Sequence, residues 1–310
     1  MREKQFEISQ TPLVTKDVHA YELLLLMAAA IWGLSFVVLR SATVELPATY
    51  VVGIRYLGAA IILGIVLHRR IARHMDANHI LPGIVLGALV YCGFGLMSVS
   101  AMGTTPGKNA FLTTAYCVFV PFLAFPFTRR APKMRNIVAG IICLIGIACI
   151  SLHVSDGALT IRSSEMIAVL SAVFLGLHMV AVAYFSREDR DMLVLTFYQF
   201  LTSGLIGFVV GFSTVAFPVE KILMPSVLFD LGYLVLLSTC VGSLLQNICQ
   251  EHVPATQASL LIASEAIFGL LFGVLLIHEH VRIIDGIGFL LISLAILINE
   301  IGYKQKTSIL

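Results

Sequence analysis

The sequence predicts an all-α integral membrane protein of ten transmembrane helices, built as two inverted five-helix repeats. Three observations carry that prediction. Composition is the first: of 310 residues, 58% are hydrophobic and 12% charged, with a mean hydropathy of +0.95. Soluble chains carry roughly twice that charge, and too few polar residues remain here to cover a globule. The second is a series of apolar runs near 20–40, 48–68, 80–101, 107–127, 135–153, 164–185, 191–213, 226–248, 255–277 and 283–301. A hydrocarbon core about 30 Å thick needs roughly twenty helical residues, so each run is a span. Helices satisfy their own backbone in lipid, and the runs are too long for barrel strands. The third is internal similarity. Thr104 to Gly140 reads TTPGKNAFLTTAYCVFVPFLAFPFTRRAPKMRNIVAG, and the same construction returns from His252 to Gly288 as HVPATQASLLIASEAIFGLLFGVLLIHEHVRIIDGIG. In both, a proline and a small polar stretch enter a long apolar helix, and a charged turn leads to a glycine-bearing final helix.

In chain order, mostly polar residues 1–19 form a cytoplasmic extension, and the first run is long enough to span without being a cleaved leader. Short connectors with turn-formers follow: Pro47, Pro82, Gly103, Pro106, Pro132, Asp156-Gly157, Pro218, Pro225 and Pro254. The first repeat is placed at 20–153, the second at 164–302, and a cytoplasmic tail at 303–310. Cys92, Cys117, Cys143, Cys149, Cys240 and Cys249 sit in or at the ends of apolar runs without a CxxC pair, so they read as small hydrophobes.

Lys and Arg set the orientation. With the N-terminus inside, fourteen fall on inner segments (Arg2, Lys4, Lys16, Arg69, Arg70, Arg73, Arg129, Arg130, Lys133, Arg135, Arg187, Arg190, Lys304, Lys306). Five fall outside (Arg40, Lys108, Arg162, Lys221, Arg282), and Arg55 lies within a span. This positive-inside bias puts both termini in the cytoplasm, with the inner membrane as the expected location. Five helices per half is odd, so the second half enters from the opposite side. Inverted repeats of that type place a solute site near the midplane, between them. Trp32-Gly33 pairs with Leu175-Gly176, and Arg55-Tyr56 with Gln199-Phe200.

Over residues 20–302 the chain resembles the ten-helix EamA-type branch of the drug/metabolite transporter superfamily. The matching features are Trp32-Gly33, Arg55-Tyr56, the small polar entry to the fourth helix with Pro121 inside it, and Glu279 seven residues before Gly286. Arg129-Arg130 stands where many relatives place a glutamate, and Ala266 follows Glu265 where proline is common. The resemblance implies transport, and it implies that Glu279 fixes the turn after the ninth helix.

Ionisable residues inside a membrane are functional suspects because their desolvation is costly. Glu265 lies near the midplane of the ninth helix, with three candidate roles: binding a solute amine, carrying a coupling proton, or neutralising Arg55. At 1.5 Å rise per residue the depths of Arg55 and Glu265 differ by under about 10 Å, within side-chain reach. The resemblance favours a structural role for Arg55. His178 sits mid-span on the sixth helix, as a packing residue or a relay. Asn109, Thr113 and Tyr116 recur at i, i+4 and i+7, and Gln257 and Ser264 are their counterparts on the ninth helix. Such stripes join helices or line a cavity. Trp32, Ser35, Tyr91, Gln199 and Gln246 complete the candidate lining.

His278-Glu279-His280 lacks the i, i+4 histidines of a metal helix, so no metal or other cofactor is expected. A net charge of +2 gives no reason to expect nucleic acid. No nucleotide loop or Ser/His/Asp set is visible, so transport would draw on solute or ion gradients. The expected function is a secondary transporter or facilitator exporting a small metabolite, an amino acid or related amphiphile. Its partners are that solute, the bilayer and, as a candidate, a coupling proton. A broad exporter of lipophilic drugs is the alternative, and a membrane enzyme or receptor is a third reading of another class.

Overall fold

The computed structural model describes residues 15–129, 131–155, 158–185, 190–250, 253, 258 and 261–301. Besides two four-residue helices in the connectors, His68–Ile71 and Val219–Ile222, the helices are α1 (Thr15–Glu45), α2 (Ala48–Val66), α3 (Ala77–Ala101), α4 (Pro106–Thr128), α5 (Met134–Ser151), α6 (Ser163–Phe185), α7 (Met192–Thr214), α8 (Pro225–Gln246), α9 (Leu261–Ile277) and α10 (Ile283–Asn299). Among the described residues, eight are long and apolar enough to cross a bilayer, and α9 and α10 are shorter apolar helices. Outward side chains such as Ile65 and Leu290, 69% and 73% exposed, are apolar. A surface of that kind belongs in lipid, and the protein is an all-α, multi-pass membrane protein.

Local chemistry sets the helix ends. Pro106 and Pro225 occupy the first turns of α4 and α8, where a missing N–H costs nothing. Asp76 caps α3 by accepting from the His79 N–H at 3.1 Å, and the hydrogen bond from the His79 ring holds its carboxyl below the usual range. Asp191 caps α7 through the N–H groups of Leu193 and Val194, and pairs with Arg70 across the connectors. At the other end, α4 and α9 stop on non-glycine residues in the left-handed region, Arg129 and His278, both at φ 53°.

Three details depart from the sequence expectation. The connector expected near 154–163 contains an antiparallel hairpin, β1 (Leu152–Ser155) with β2 (Ala158–Ile161), Leu152 facing Ile161. α1 starts at Thr15, so the polar extension overlaps it. Finally, Tyr233–Val241 inside α8 winds as a π-helix.

Three helix pairs form the frame: α2 on α7, α5 on α10 and α4 on α9. Around them α3 packs on α6 and α7, α8 on α1 and α2, α1 on α9, and α6 on α4. Small residues permit the close approaches. A Cβ on Gly207 would lie 2.6 Å from the Cα of Gly53, so α2 and α7 meet backbone to backbone. The main core of Phe36, Leu39, Leu46, Leu112, Val118, Ile150, Leu234 and Ile292 ties both halves together.

Candidate functional site

These contacts leave a cavity of about 690 Å³ inside the bundle, within the range that holds a small molecule. Nine of the ten helices contribute polar groups: Trp32 and Ser35 from α1, Arg55 from α2, Thr113 and Tyr116 from α4, Asn136 from α5, His178 from α6, Gln199 from α7, Gln246 from α8, Glu265 from α9 and Asn299 from α10. Phe36, Val90, Phe94, Met97 and Phe200 supply apolar wall. The lining reaches Pro132 and Lys133 in the α4–α5 turn and Arg135 in the first turn of α5, so the cavity extends toward that end of the bundle.

Arg55 is 5% exposed and has its direction fixed by neutral groups. Its Nε donates to Thr239 Oγ1 at 2.7 Å and its Nη2 to Ser238 Oγ at 3.0 Å. Tyr56 and Phe94 place their rings 5.3 and 5.1 Å from the guanidinium carbon, a cation–π arrangement on each. Ser238 and Thr239 lie in the π-helix, whose wider turn frees backbone and hydroxyl groups that an α-helix would use internally. Thr239 Oγ1 donates back to the Leu234 carbonyl at 2.7 Å, and the Ser238 carbonyl accepts from Trp32 Nε1 at 2.8 Å. The π segment is therefore the part of α8 that seats both Trp32 and Arg55.

Glu265 takes a hydrogen bond from Thr114 Oγ1 at 3.2 Å, and neither it nor Arg55 has an ion-pair partner among the described residues. The two groups share the cavity without neutralising each other. His178 Nε2 and Gln199 Oε1 are hydrogen-bonded at 3.1 Å, joining α6 to α7. At the mouth, Asn136 Nδ2 donates to Asn299 Oδ1 at 2.7 Å, and Asn299 Nδ2 to the Cys117 carbonyl at 2.9 Å.

Of the residues expected from sequence, Trp32, Ser35, Arg55, Thr113, Tyr116, His178, Gln199, Gln246 and Glu265 line one cavity. Asn109 does not, because its amide turns to the Met97 carbonyl at 3.1 Å. Nor does Ser264, whose hydroxyl bonds the Leu261 carbonyl at 2.5 Å, or Tyr91, which packs against the apolar cluster that includes Val52, Tyr56 and Phe200. Gln257 lies outside the described residues. Sequence reasoning passed over Ser238, Thr239, Asn136 and Asn299, whose small polar side chains look like ordinary helix glue.

The opposite end of the bundle holds a buried charge cluster. Lys108 at the start of α4 places Nζ 3.0 Å from Asp285 Oδ1 and 3.5 Å from Glu165 Oε1, and donates to the Ile150 carbonyl at 3.3 Å. Arg282 donates to both Asp285 oxygens, Nε at 2.9 Å and Nη2 at 2.5 Å. Beside it, Glu279 Oε2 accepts from the Gly107 N–H at 2.9 Å, capping the start of α4 from the α9–α10 turn. Gly107 and Gly273 leave the room its carboxylate fills. Burial pushes the Glu279 carboxyl up, against the hydrogen bonds it accepts.

Similarity to known proteins agrees with this architecture. The chain is 21% identical over 216 residues to an uncharacterized transporter of Archaeoglobus fulgidus, covering 70% of this chain and 67% of that protein. It is 22% identical over 287 residues to the uncharacterized transporter YoaV of Bacillus subtilis, 89% of this chain and 95% of the relative. A protein of known crystal structure shares the fold, with a TM-score of 0.62 at 12% identity, over 93% of this chain and 98% of that one. The EamA-like transporter family model matches residues 19–152 and again 162–300. A chain matched twice, over nearly its whole length, belongs to the EamA-like transporter family.

Proposed function

We propose that the chain is a secondary transporter or facilitator that moves a small metabolite, an amino acid or related amphiphile, across the cytoplasmic membrane by alternating access, with export favoured. One observation carries the reading: a cavity large enough for a metabolite reaches one end of the bundle, while buried ion pairs lie at the other. Alternating access needs a central site exposed to one side at a time. The helix packing supports two inverted repeats, 20–153 and 164–302. Adding five to the helix numbers turns α3–α6 into α8–α1, α3–α7 into α8–α2 and α1–α9 into α6–α4, while α2–α7, α4–α9 and α5–α10 map onto themselves.

By the positive-inside rule the end bearing Lys133 and Arg135 faces the cytoplasm, as do both termini, so the site is open inward here. Cysteine labelling tests this arrangement. His280→Cys in the α9–α10 turn should react with an impermeant maleimide in intact cells, and Arg69→Cys should not; the reverse result would sink the topology.

Uptake or efflux by proteoliposomes of purified protein tests the function, with amino acids and lipophilic cations as solutes. Glu265→Gln should fold normally yet lose transport or its pH dependence. Because Glu265 and Arg55 are not ion-paired, Arg55→Gln should not restore the loss. Full transport with unchanged pH dependence in a well-folded Glu265→Gln protein removes the residue from the mechanism. Carriage of lipophilic cations alone would replace the metabolite reading with that of a broad drug exporter.

A further inference from the structure

We propose that Arg55 is the seat for a carboxylate on the transported solute. The proposal rests on the transporter reading above and names the chemistry that its cavity takes. A guanidinium taken out of water is heavily penalised unless an anion accompanies it, and it is ordinarily found beside an acid. Arg55 has no acid beside it among the described residues. Its partners are two hydroxyls and two rings, which fix its direction without cancelling its charge.

Donor capacity remains. Of the guanidinium nitrogens, Nε and Nη2 are engaged, while Nη1 makes no hydrogen bond among the described residues, and the side chain lines the cavity. The supporting hydroxyl is itself committed. Thr239 gives its proton to the Leu234 carbonyl, so only its lone pairs face Nε, and the guanidinium is held from behind by the π-helix. An oriented fork with an unspent edge on the cavity wall suits a carboxylate, which takes two parallel N–H bonds from Arg.

Charge balance points to a monoanionic group. Arg55 supplies one positive charge at the seat, and the other cations of the lining, Lys133 and Arg135, belong to the α4–α5 end of the cavity. The apolar wall that includes Phe36, Phe94 and Phe200 leaves space for a hydrophobic body attached to the carboxylate.

Calorimetric titration of the purified full-length protein in detergent tests the proposal. The probes are L-phenylalanine, L-leucine and 3-phenylpropionate, each with its primary amide. At least one acid should bind, and its amide should bind about 10-fold or more weakly, the loss expected for a charged bidentate contact. Arg55→Gln should bring the acid down to the affinity of the amide and leave the amide unchanged. Arg55→Lys should be intermediate, because it keeps the charge and loses the fork. Should Arg55→Gln fail to fold, the Ser238→Ala, Thr239→Val double variant keeps the cation and removes its support, and should weaken the acid by about 10-fold relative to its amide.

Amides binding as tightly as acids, no acid binding at all, or a folded Arg55→Gln protein with wild-type acid affinity would each overturn the proposal. Transport of a lipophilic cation by the same preparation would then leave the transporter reading standing without the carboxylate. A preparation that carries no solute takes both down.

Discussion

Asp285→Asn should cost about 3–5 kcal/mol of stability, the usual penalty for breaking a buried ion pair from one side. Asp285 is 1% exposed and serves two cations, Lys108 at 3.0 Å and Arg282 through both carboxylate oxygens. Arg282 is 39% exposed along its side chain and can turn to water, whereas Lys108 is only 9% exposed and cannot. After the substitution Lys108 keeps Glu165 at 3.5 Å and the Ile150 carbonyl at 3.3 Å, too little to replace a contact at 3.0 Å. The loss falls mainly on the lysine. Unfolding of the purified protein by heat or by sodium dodecyl sulfate, followed by circular dichroism, measures it. Added salt should change the difference little, since buried pairs are weakly screened. A loss below about 1 kcal/mol, the range of exposed pairs, would show that the cluster is hydrated and contributes little to stability.

Gly33→Val should abolish transport while most helical content survives. A Cβ on Gly33 would lie 2.3 Å from the Cβ of Phe268 and 2.9 Å from the Gly269 nitrogen, so neither a rotamer change nor a small tilt relieves it. α1 and α9 must separate. Overpacking costs roughly 1–3 kcal/mol where side chains can yield, and more where a backbone has to move. Glu265 stands one turn before Phe268 on α9, and Trp32 adjoins Gly33 on α1, so the displacement passes into the cavity wall. Gly33→Ala already carries the offending atom and should show the same defect in milder form. Proteoliposome transport with circular dichroism as the control checks both; wild-type transport by Gly33→Val would contradict the close seam.

What was legible in the sequence follows from cost. A lone Arg55, His178 or Glu265 inside an apolar run stands out because lipid penalises it, and all three line the cavity. Spans were legible for the same reason: the length of an apolar run records the thickness of the membrane. The π segment was not, because Tyr233–Val241 has the composition of any apolar helix, and its extra turn width appears only in the hydrogen bonds. Ser238 and Thr239 were hidden with it. The buried charge cluster was missed because Lys108, Glu165 and Asp285 each sit beside a connector, where a single charge is unremarkable, and nothing local says that they converge. Asn109 shows the converse error, since helical spacing put it on a stripe with Thr113 and Tyr116, but its amide had a nearer acceptor on α3.

The seat of Glu279 has a consequence for reading relatives. A Cβ on Gly273 would fall 2.3 Å from Oε2 and one on Gly107 2.9 Å from Oε1, so the acid and the two glycines occupy one volume. Inheritance should treat them as one character. A lineage that keeps the acid has to keep hydrogen at both other positions, and a lineage that loses it is free to fill either. Covariation of these three sites, more than the persistence of any one, would mark which relatives cap α4 from the α9–α10 turn in the same way.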